Sequence, residues 1–435
     1  MPSPFLTRRQ FATGLAWTAA GIAATPPVWA ARRNPEFSAD ADAVRDDLRR
    51  RILPYWLDTA VDWEGGGYQL ADDAVKGRGK ASEKQIVTQA RLIWGFSLAH
   101  RKGYGDTARD YRKAAAHGVT FLRQHLQDPE HGGYYFSVKP DGQPLNPRKL
   151  LYGQAFVIYG LVEYFRATRD RAVLKEALAL FRLLQRRAHD DRHRGWNEHF
   201  ERDWTPVPTG DPNAIVELAG YKSANTHLHL MEAFTELYAE TRDGEVRGAL
   251  VEALELNREY FYPAEPAKSA FHFHPDWQPS TDARSAGLSY GHNVEFAWLM
   301  VRAVEVLGTR PVWPHFHAHL EHALRCGTDH ELGGVYNRGA GDGPATDTDK
   351  VWWVQAEMLA ALLDGLRNRP GHPPYVKALR QLIDFTVKYQ TDPRTGIWYD
   401  TVTQAGVPKS TGLAHAWKGN YHDVRALVRM VDAMK

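Results

Sequence analysis

Cysteine is almost absent from this sequence: there is one, Cys326, in 435 residues. No intramolecular disulfide can form, so oxidative folding is not needed. A lone Cys in a helical pattern reads as a small core residue. An excess of charge of one sign is also missing. The 54 Lys and Arg stand against 52 Asp and Glu, a formal +2, which recommends neither nucleic acid nor an anionic membrane as partner. There is no P-loop, no dinucleotide-binding glycine fingerprint, no Gly-x-Ser-x-Gly elbow, no His-Glu-x-x-His and no Cys cluster. No linker, low-complexity tract or charge block divides the chain after its first residues.

What is present is a globular composition with many aromatics. Hydrophobic residues make up 43%, charged residues 24%, and there are 14 Trp. That supports one large domain or two ordinary ones. The N-terminus differs from the rest. "TRRQF" (Thr7 to Phe11) precedes an uncharged apolar stretch and a small-residue site near Ala30. This is the pattern of a twin-arginine signal peptide over residues 1–30. It predicts export to the periplasm or beyond and no stable membrane partner after cleavage. A disordered or interfacial N-terminal helix is the alternative. The segment holds Arg8 and Arg9 and no acidic residue, so its removal would leave a formally neutral protein.

A local pattern recurs along the chain: an acidic residue, a short turn, glycine, then aromatics. It appears as "DWEGGGYQL" from Asp62, "DPEHGGYYF" from Asp128, "DDRHRGWNEHF" from Asp190, "DHELGGVYNR" from Asp329 and "DPRTGIWYD" from Asp392. The spacing is roughly 60–70 residues, doubled between the third and fourth copies. "SAFHFHPDW" (Ser269 to Trp277), lacking the glycines, is the candidate for a degenerate copy in the gap. Gly–aromatic turns suit short hairpins. Between them the helical period is clear: Val87, Ala90, Trp94 and Leu98 share one face of "KQIVTQARLIWGFSLAHR". Apolar helices alternate with more polar ones such as "RAVLKEALALFRLLQRRAH". About twelve helices in six pairs predict an all-α, closed (α/α)6 barrel with short hairpin-like loops. It would form a single domain over 36–435, with the more apolar helix of each pair inside. An open helical solenoid is the alternative, though its repeat is usually shorter.

In such a barrel, polar residues that interrupt inner-helix patterns near one mouth are the candidates for chemistry. Arg91 is either an ion-paired structural residue or a fork for an oxygen-rich ligand. "SANTHLHLMEAF" holds Asn225, His227, His229 and Glu232. His227 and His229 are two apart and point to opposite sides of a helix, so only one can face a cavity. His229 and Glu232, like His292 and Glu295, are three apart and share a face. A carboxylate beside an imidazole orients the ring and raises its pKa toward the working range. Each pair alone could equally be a satisfied core pair. Trp352 and Trp353 in "KVWWVQAE", and Trp417 beside Lys418 and His422 in "LAHAWKGNYHDVRAL", are either core or platforms for the apolar face of a sugar. His-x-His and His-x-x-Glu can be metal spacings, but the i, i+2 pair cannot share a face, and no metal is expected.

The motifs "QARLIWGFS", "YGQAFVIYGLVEY", "FERDW", "NTHLHLMEAFTELY", "YGHNVEFAWL", "KVWWVQAE" and "WKGNYHDVRA" occur in this order over nearly the whole chain after the leader. Together they resemble the N-acylglucosamine 2-epimerase superfamily, and more closely its cellobiose 2-epimerase branch. The resemblance implies an (α/α)6 barrel and a sugar epimerase without cofactor or metal. It implies that Arg91 holds sugar oxygens, and that His229 assists ring opening or binds near the reacting carbons, with Asn225 beside it. His292 and His422 would transfer protons and Glu295 would orient His292. Trp417 and one of Trp352 or Trp353 would stack on the sugar. The expected substrate is a small sugar, the reducing end of a β-1,4-linked disaccharide such as cellobiose or mannobiose, and the expected state a monomer or weak dimer. Two departures from the family pattern, Asn420 in place of proline and Asp423 in place of asparagine, are expected near the mouth.

The chemistry asks for such a set. Ring opening exposes an aldehyde and acidifies the C2 proton, a base removes it to give an enediolate, and return to the other face needs a second acid–base group. Return to C1 instead gives a ketose, so an aldose–ketose isomerase of mannose isomerase type is the first alternative. An (α/α)6 glycoside hydrolase would need two carboxylates across the cavity. A non-enzymatic sugar-binding protein would use the aromatics alone.

Overall fold

The structure is a computed structural model, and it describes residues 35–434 apart from positions 213, 217 and 311. The signal-like residues 1–30 lie outside the described residues. The first helical rod is α1 (Ser38–Asp47) continued through a π-helical turn (Leu48–Ile52) into α2 (Leu53–Ala60). Eleven further α-helices follow: α3 (Ile86–Arg101), α4 (Tyr111–Phe121), α5 (Leu151–Thr168), α6 (Arg171–Arg187), α7 (Ala224–Thr241), α8 (Gly244–Leu256), α9 (Tyr290–Leu307), α10 (Trp313–Cys326), α11 (Trp352–Asn368), α12 (Pro373–Phe385) and α13 (His422–Ala433). That makes twelve rods among the described residues.

Burial sorts them into two layers. In α5 every residue from Leu151 to Glu163 is buried, and α3 is buried from Ile86 to Ala99. A helix covered all round must have neighbours on every side. In α6 the buried residues are Val173, Ala177, Leu180, Phe181 and Leu184, one stripe at helical spacing, with Asp170 capping the N-terminus through Ala172 N. So α3, α5, α7, α9, α11 and α13 form the inner ring, and α1/α2, α4, α6, α8, α10 and α12 the outer one. Cys326 ends outer helix α10 and is half-buried at the margin of the core, not within it, because the last turn of an outer helix has solvent on one side.

Ion pairs trace the closure of the inner ring at the C-terminal ends of its helices. Arg101 pairs with Glu163 (2.6 Å), Arg166 with Glu236 (2.7 Å) and Arg302 with Glu236 (2.9 Å). Arg367 pairs with Glu305 (2.9 Å), Arg429 with Asp364 (2.9 Å) and Lys102 with Asp432 (2.5 Å). Each of the six adjacent helix pairs is bridged, including α13 back to α3. That is a closed barrel, not a solenoid.

At the other end lie the hairpins. Four of the five aspartates that open the loops in the sequence hold a buried lysine that enters an inner helix: Lys84 on Asp62 (2.8 Å), Lys149 on Asp128 (2.8 Å), Lys222 on Asp190 (2.9 Å) and Lys350 on Asp329 (2.7 Å). A second clamp comes from the fourth residue of the inner helix. Gln89, Gln154 and Gln355 each accept from a backbone N–H and donate to the carbonyl of one residue, Tyr68, Tyr134 and Val335 respectively.

The fourth unit differs from the sequence reading. "SAFHFHPDW" is in register with "WNEHFERDW" (Trp196 to Trp204), not with the glycine turn. His272–Phe273 forms the strand equivalent to His199–Phe200, and Trp277 takes the left-handed backbone of Trp204 (φ 67° and 72°). The degenerate turn is therefore the Pro-rich stretch just upstream. Proline supplies the bend where the other copies use glycine, which hid the turn from a Gly–aromatic search.

Candidate active site

The first two turns of the inner helices converge at the hairpin end. Their N-termini bring partial positive charge to the same region. The sixth residue of five inner helices forms a layer: Arg91, Phe156, His229, Glu295 and Glu357. The sixth helix, α13, contributes His422 and Arg425.

Arg425 is the hub. Its Nη1 donates to Glu232 Oε1 (2.5 Å), and its Nη2 donates to Glu295 Oε1 (3.0 Å) and Glu357 Oε1 (2.8 Å). Tyr421 Oη donates to Glu232 Oε1 at 2.8 Å. Burial alone would raise Glu232 and Glu357, but Arg425, with His229 and His422 respectively, outweighs it and holds both below the usual carboxylate range. Glu295 goes the other way. Burial and then the Glu357 charge push it well above that range, against the opposing pull of Arg425.

Two imidazoles are oriented by these carboxylates. His229 Nδ1 donates to Glu232 Oε2 at 2.8 Å, and His422 Nδ1 donates to Glu357 Oε1 at 2.6 Å. In that tautomer Nε2 of each ring is left with its lone pair. The expectation that a carboxylate raises these pKa values is reversed. Burial dominates and pushes His422 down to about 3, with Arg91 and Arg425 opposing Glu357. His229 is likewise lowered, by burial first.

The predicted Glu295–His292 pair does not form. Glu295 spends its hydrogen bond on Arg425, and neither its Oε2 nor His292 Nδ1 has a protein partner. The reason is Arg425, which draws Glu295 toward the barrel axis while His292 points to its aromatic neighbours. The His292 ring lies 4.6 Å from that of Trp353 and 5.3 Å from that of Phe271. Burial, then the charges of His229 and Arg338, push His292 down to about 3.

The remaining candidates separate cleanly. Arg91 Nη2 donates to Tyr152 Oη (2.8 Å), and its guanidinium packs over the rings of Phe156 (4.2 Å) and Tyr421 (4.7 Å). Asn225 begins α7, with its side-chain oxygen buried and without a protein partner. Trp353 neighbours both proton-transfer candidates, 4.6 Å from His292 and 5.9 Å from His422. Trp352 instead faces His415 (5.7 Å) and lies under Lys418. Trp417 is half-buried beside Phe136 (6.2 Å). His227 is structural: its Nδ1 donates to Ser223 O (2.9 Å), and its Nε2 accepts from Trp196 N, the place of the glutamine clamp in other units. Asn420 is not at the mouth. It is fully buried against α3, where a Cβ on Gly95 would overlap it. Asp423 is also buried, and burial raises it to about 6.

Glu357, Arg425 and Tyr421 were missed in the sequence. Aligning the inner helices on their start would have shown Glu357 in the column of His229 and Glu295. Glu295, Glu357 and His422 have ligand atoms within 4.8 Å of one another, a metal-like spacing. The Arg425 guanidinium bonds both carboxylates there, supplying the positive charge that a cation would.

A closed double ring of helices with buried histidines, carboxylates and an aromatic wall at one mouth defines an enzyme acting on carbohydrates. The profile of the N-acylglucosamine 2-epimerase (GlcNAc 2-epimerase) family matches residues 66–426, and the chain belongs to that family. It is 29% identical to the cellobiose 2-epimerase of Bacteroides fragilis over 400 residues, covering 89% of this chain and 97% of that one. It is 23% identical to a D-mannose isomerase of Marinomonas mediterranea over 88% of this chain and 95% of that one. The solved cellobiose 2-epimerase of Spirochaeta thermophila superposes with a TM-score of 0.82 at 32% identity, covering 92% of this chain and 98% of that one. A family 76 glycoside hydrolase shares the fold alone, at a TM-score of 0.63 and 11% identity.

Proposed function

We propose that this protein is a carbohydrate 2-epimerase that interconverts the glucose and mannose configurations at the reducing end of a β-1,4-linked disaccharide such as cellobiose or mannobiose. The observation that carries the reading is the pair His292 and His422. They come from different inner helices, and their rings lie 4.6 Å and 5.9 Å from the Trp353 ring, so a sugar resting on that ring would be within reach of both imidazoles. Names of relatives at 27–29% identity support the substrate class.

The steps follow from the residues. Arg91 and His229 hold the opened sugar's oxygens. One imidazole takes the C2 proton through its bare nitrogen, and the C2–H electron pair moves into the C1–C2 bond while charge develops on O1. Arg91 and the converging helix N-termini stabilise that oxyanion. The other imidazole relays a proton from solvent to the opposite face of C2, and the electrons return to the carbonyl. Glu295, pushed toward its protonated form by burial and the Glu357 charge, lies within 4.8 Å of the His422–Glu357 pair. Reprotonation at C1 would give a ketose, which is how a mannose isomerase reaction would arise in the same site. A hydrolase fits less well, because Glu232, Glu295 and Glu357 are all bound to one guanidinium and do not face each other across open space. In this reading the twin-arginine leader puts the reaction outside the cytoplasm, and cell fractionation tests that.

Proton NMR with cellobiose, mannobiose, glucose and mannose in D₂O tests the function. Deuterium at C2 with both epimers formed is expected. Deuterium at C1 with ketose would favour the isomerase, and release of monosaccharide from the disaccharides would overturn both.

A further inference from the structure

Five of the hairpins set one residue directly opposite the residue that enters the preceding inner helix. Ser137 faces Gln85, His199 faces Leu150, His272 faces Ser223, Arg338 faces Ser289 and Thr401 faces Val351. Alternate residues of a strand point to opposite faces. The lysine next to each of the first three helix-entry residues goes outward to its loop aspartate. The other face looks toward the helix N-termini: Ser223 and Ser289 use it to cap Thr226 N and His292 N. So His199, His272 and Arg338 form an arc on the rim above α5, α7 and α9. His199 and His272 are within electrostatic reach of each other, and Arg338 is within reach of both His272 and His292. Phe271 links them, its ring 5.0 Å from His272 and 5.3 Å from His292.

One member of the arc is unexplained by the protein itself. His199 is 4% exposed, and both of its ring nitrogens lack any protein partner. A buried imidazole with two empty positions is rare and calls for a ligand. It offers one donor and one acceptor, the pattern that meets two neighbouring hydroxyls. The Arg148 guanidinium, whose charge reaches His199, is already bound by Glu201 (2.6 Å) and Asp211 (3.4 Å), so the spot favours a neutral polyol over an anion.

We infer that His199, with His272 beside it, binds the hydroxyls of the second, distal sugar of a disaccharide whose reducing end lies at His292. This rests on the epimerase reading and adds where the second sugar sits. The test compares the wild-type protein with His199→Ala and His199→Asn, using cellobiose and glucose as substrates. A site that hydrogen-bonds a hydroxyl discriminates strongly against its loss. The ratio of kcat/KM for cellobiose over glucose should fall by about tenfold or more in His199→Ala and recover in part in His199→Asn, which keeps a donor and an acceptor. An equal loss for both sugars, or no loss, would overturn the inference and leave His199 with water or a purely structural role. Tryptophan fluorescence titration with cellobiose and with glucose reads binding without turnover. Should the wild-type protein move no C2 proton, that titration still decides the distal site: tighter binding of cellobiose that His199→Ala removes supports it, and equal binding refutes it.

Discussion

His422 and Glu357 are locked together from two helices: Nδ1 of the imidazole donates to Oε1 at 2.6 Å, while Glu357 Oε2 accepts from Trp298 Nε1 at 2.9 Å. The carboxylate cannot turn without losing one of these, so it fixes both the ring plane and the tautomer. Glu357→Gln keeps the shape and removes the charge. We expect kcat to fall about 10²-fold or more with KM little changed, the mark of an interaction made mainly in the transition state. Steady-state kinetics on cellobiose checks this, and an unchanged kcat would remove Glu357 from the mechanism.

The two-imidazole scheme predicts an asymmetry in single variants. With His292→Asn, or with His422→Asn, one face of C2 keeps its proton-transfer group. Each variant should then wash solvent deuterium into only one of the two epimers while interconversion is lost. Both epimers exchanging in either variant would rule the scheme out.

Burial pushes His292 and His422 down to about 3. An imidazole ordinarily titrates near 6.5; here the neutral base persists well below that. The acid limb of kcat/KM should therefore not follow a pKa near 6.5, and a limb centred there would contradict the assignment. The stability effect has the opposite reach. Below about 6.5 the unfolded chain takes up protons that the folded imidazoles refuse, so stability is intact above that pH and erodes as pH falls from there toward 3. Denaturant titrations at several pH values follow it.

Arg425 bonds three buried glutamates and is the cation that holds two of them, Glu232 and Glu357, in the ionised form. Arg425→Met leaves Glu232 and Glu357 without their cation, and a loss of about 3–5 kcal/mol is expected. Chemical denaturation measures it. Because Arg425 supplies the charge between Glu295 and Glu357, a chelator such as EDTA should leave the wild-type rate unchanged; a loss restored by added divalent metal would refute the cofactor-free reading.

The loop ion pairs are specific more than stabilising. Burial lowers Lys149 despite Asp128, while Asp128, which burial alone would raise, is held low by Arg202 and Lys149. The two partners thus pull the balance in opposite directions, and the pair's net worth is small. Removing one side is another matter. Asp128→Ala strands a lysine with a fully buried side chain, and a loss of about 3 kcal/mol is expected by the same denaturation measurement.

The barrel was readable because its signals are periodic: glycine turns at regular spacing, and apolar helices alternating with polar ones. Local chemistry was readable where it lies within one helix, as in His229 with Glu232. Contacts between helices were not. Glu295 turns to Arg425, 130 residues away in sequence, and no spacing rule points there. The same holds for Glu357 with His422, 65 residues apart. The degenerate fourth turn was misplaced because proline replaced the glycine that marks the others.

Four of the hairpins around the mouth are nailed down by a buried lysine on an aspartate. A rim held that way has little freedom to fold over a sugar once it arrives. In the proposed reaction, keeping bulk water away from a short-lived enediolate then falls to the guest itself, which must act as its own stopper. A two-ring sugar plugs such an opening better than a single ring does.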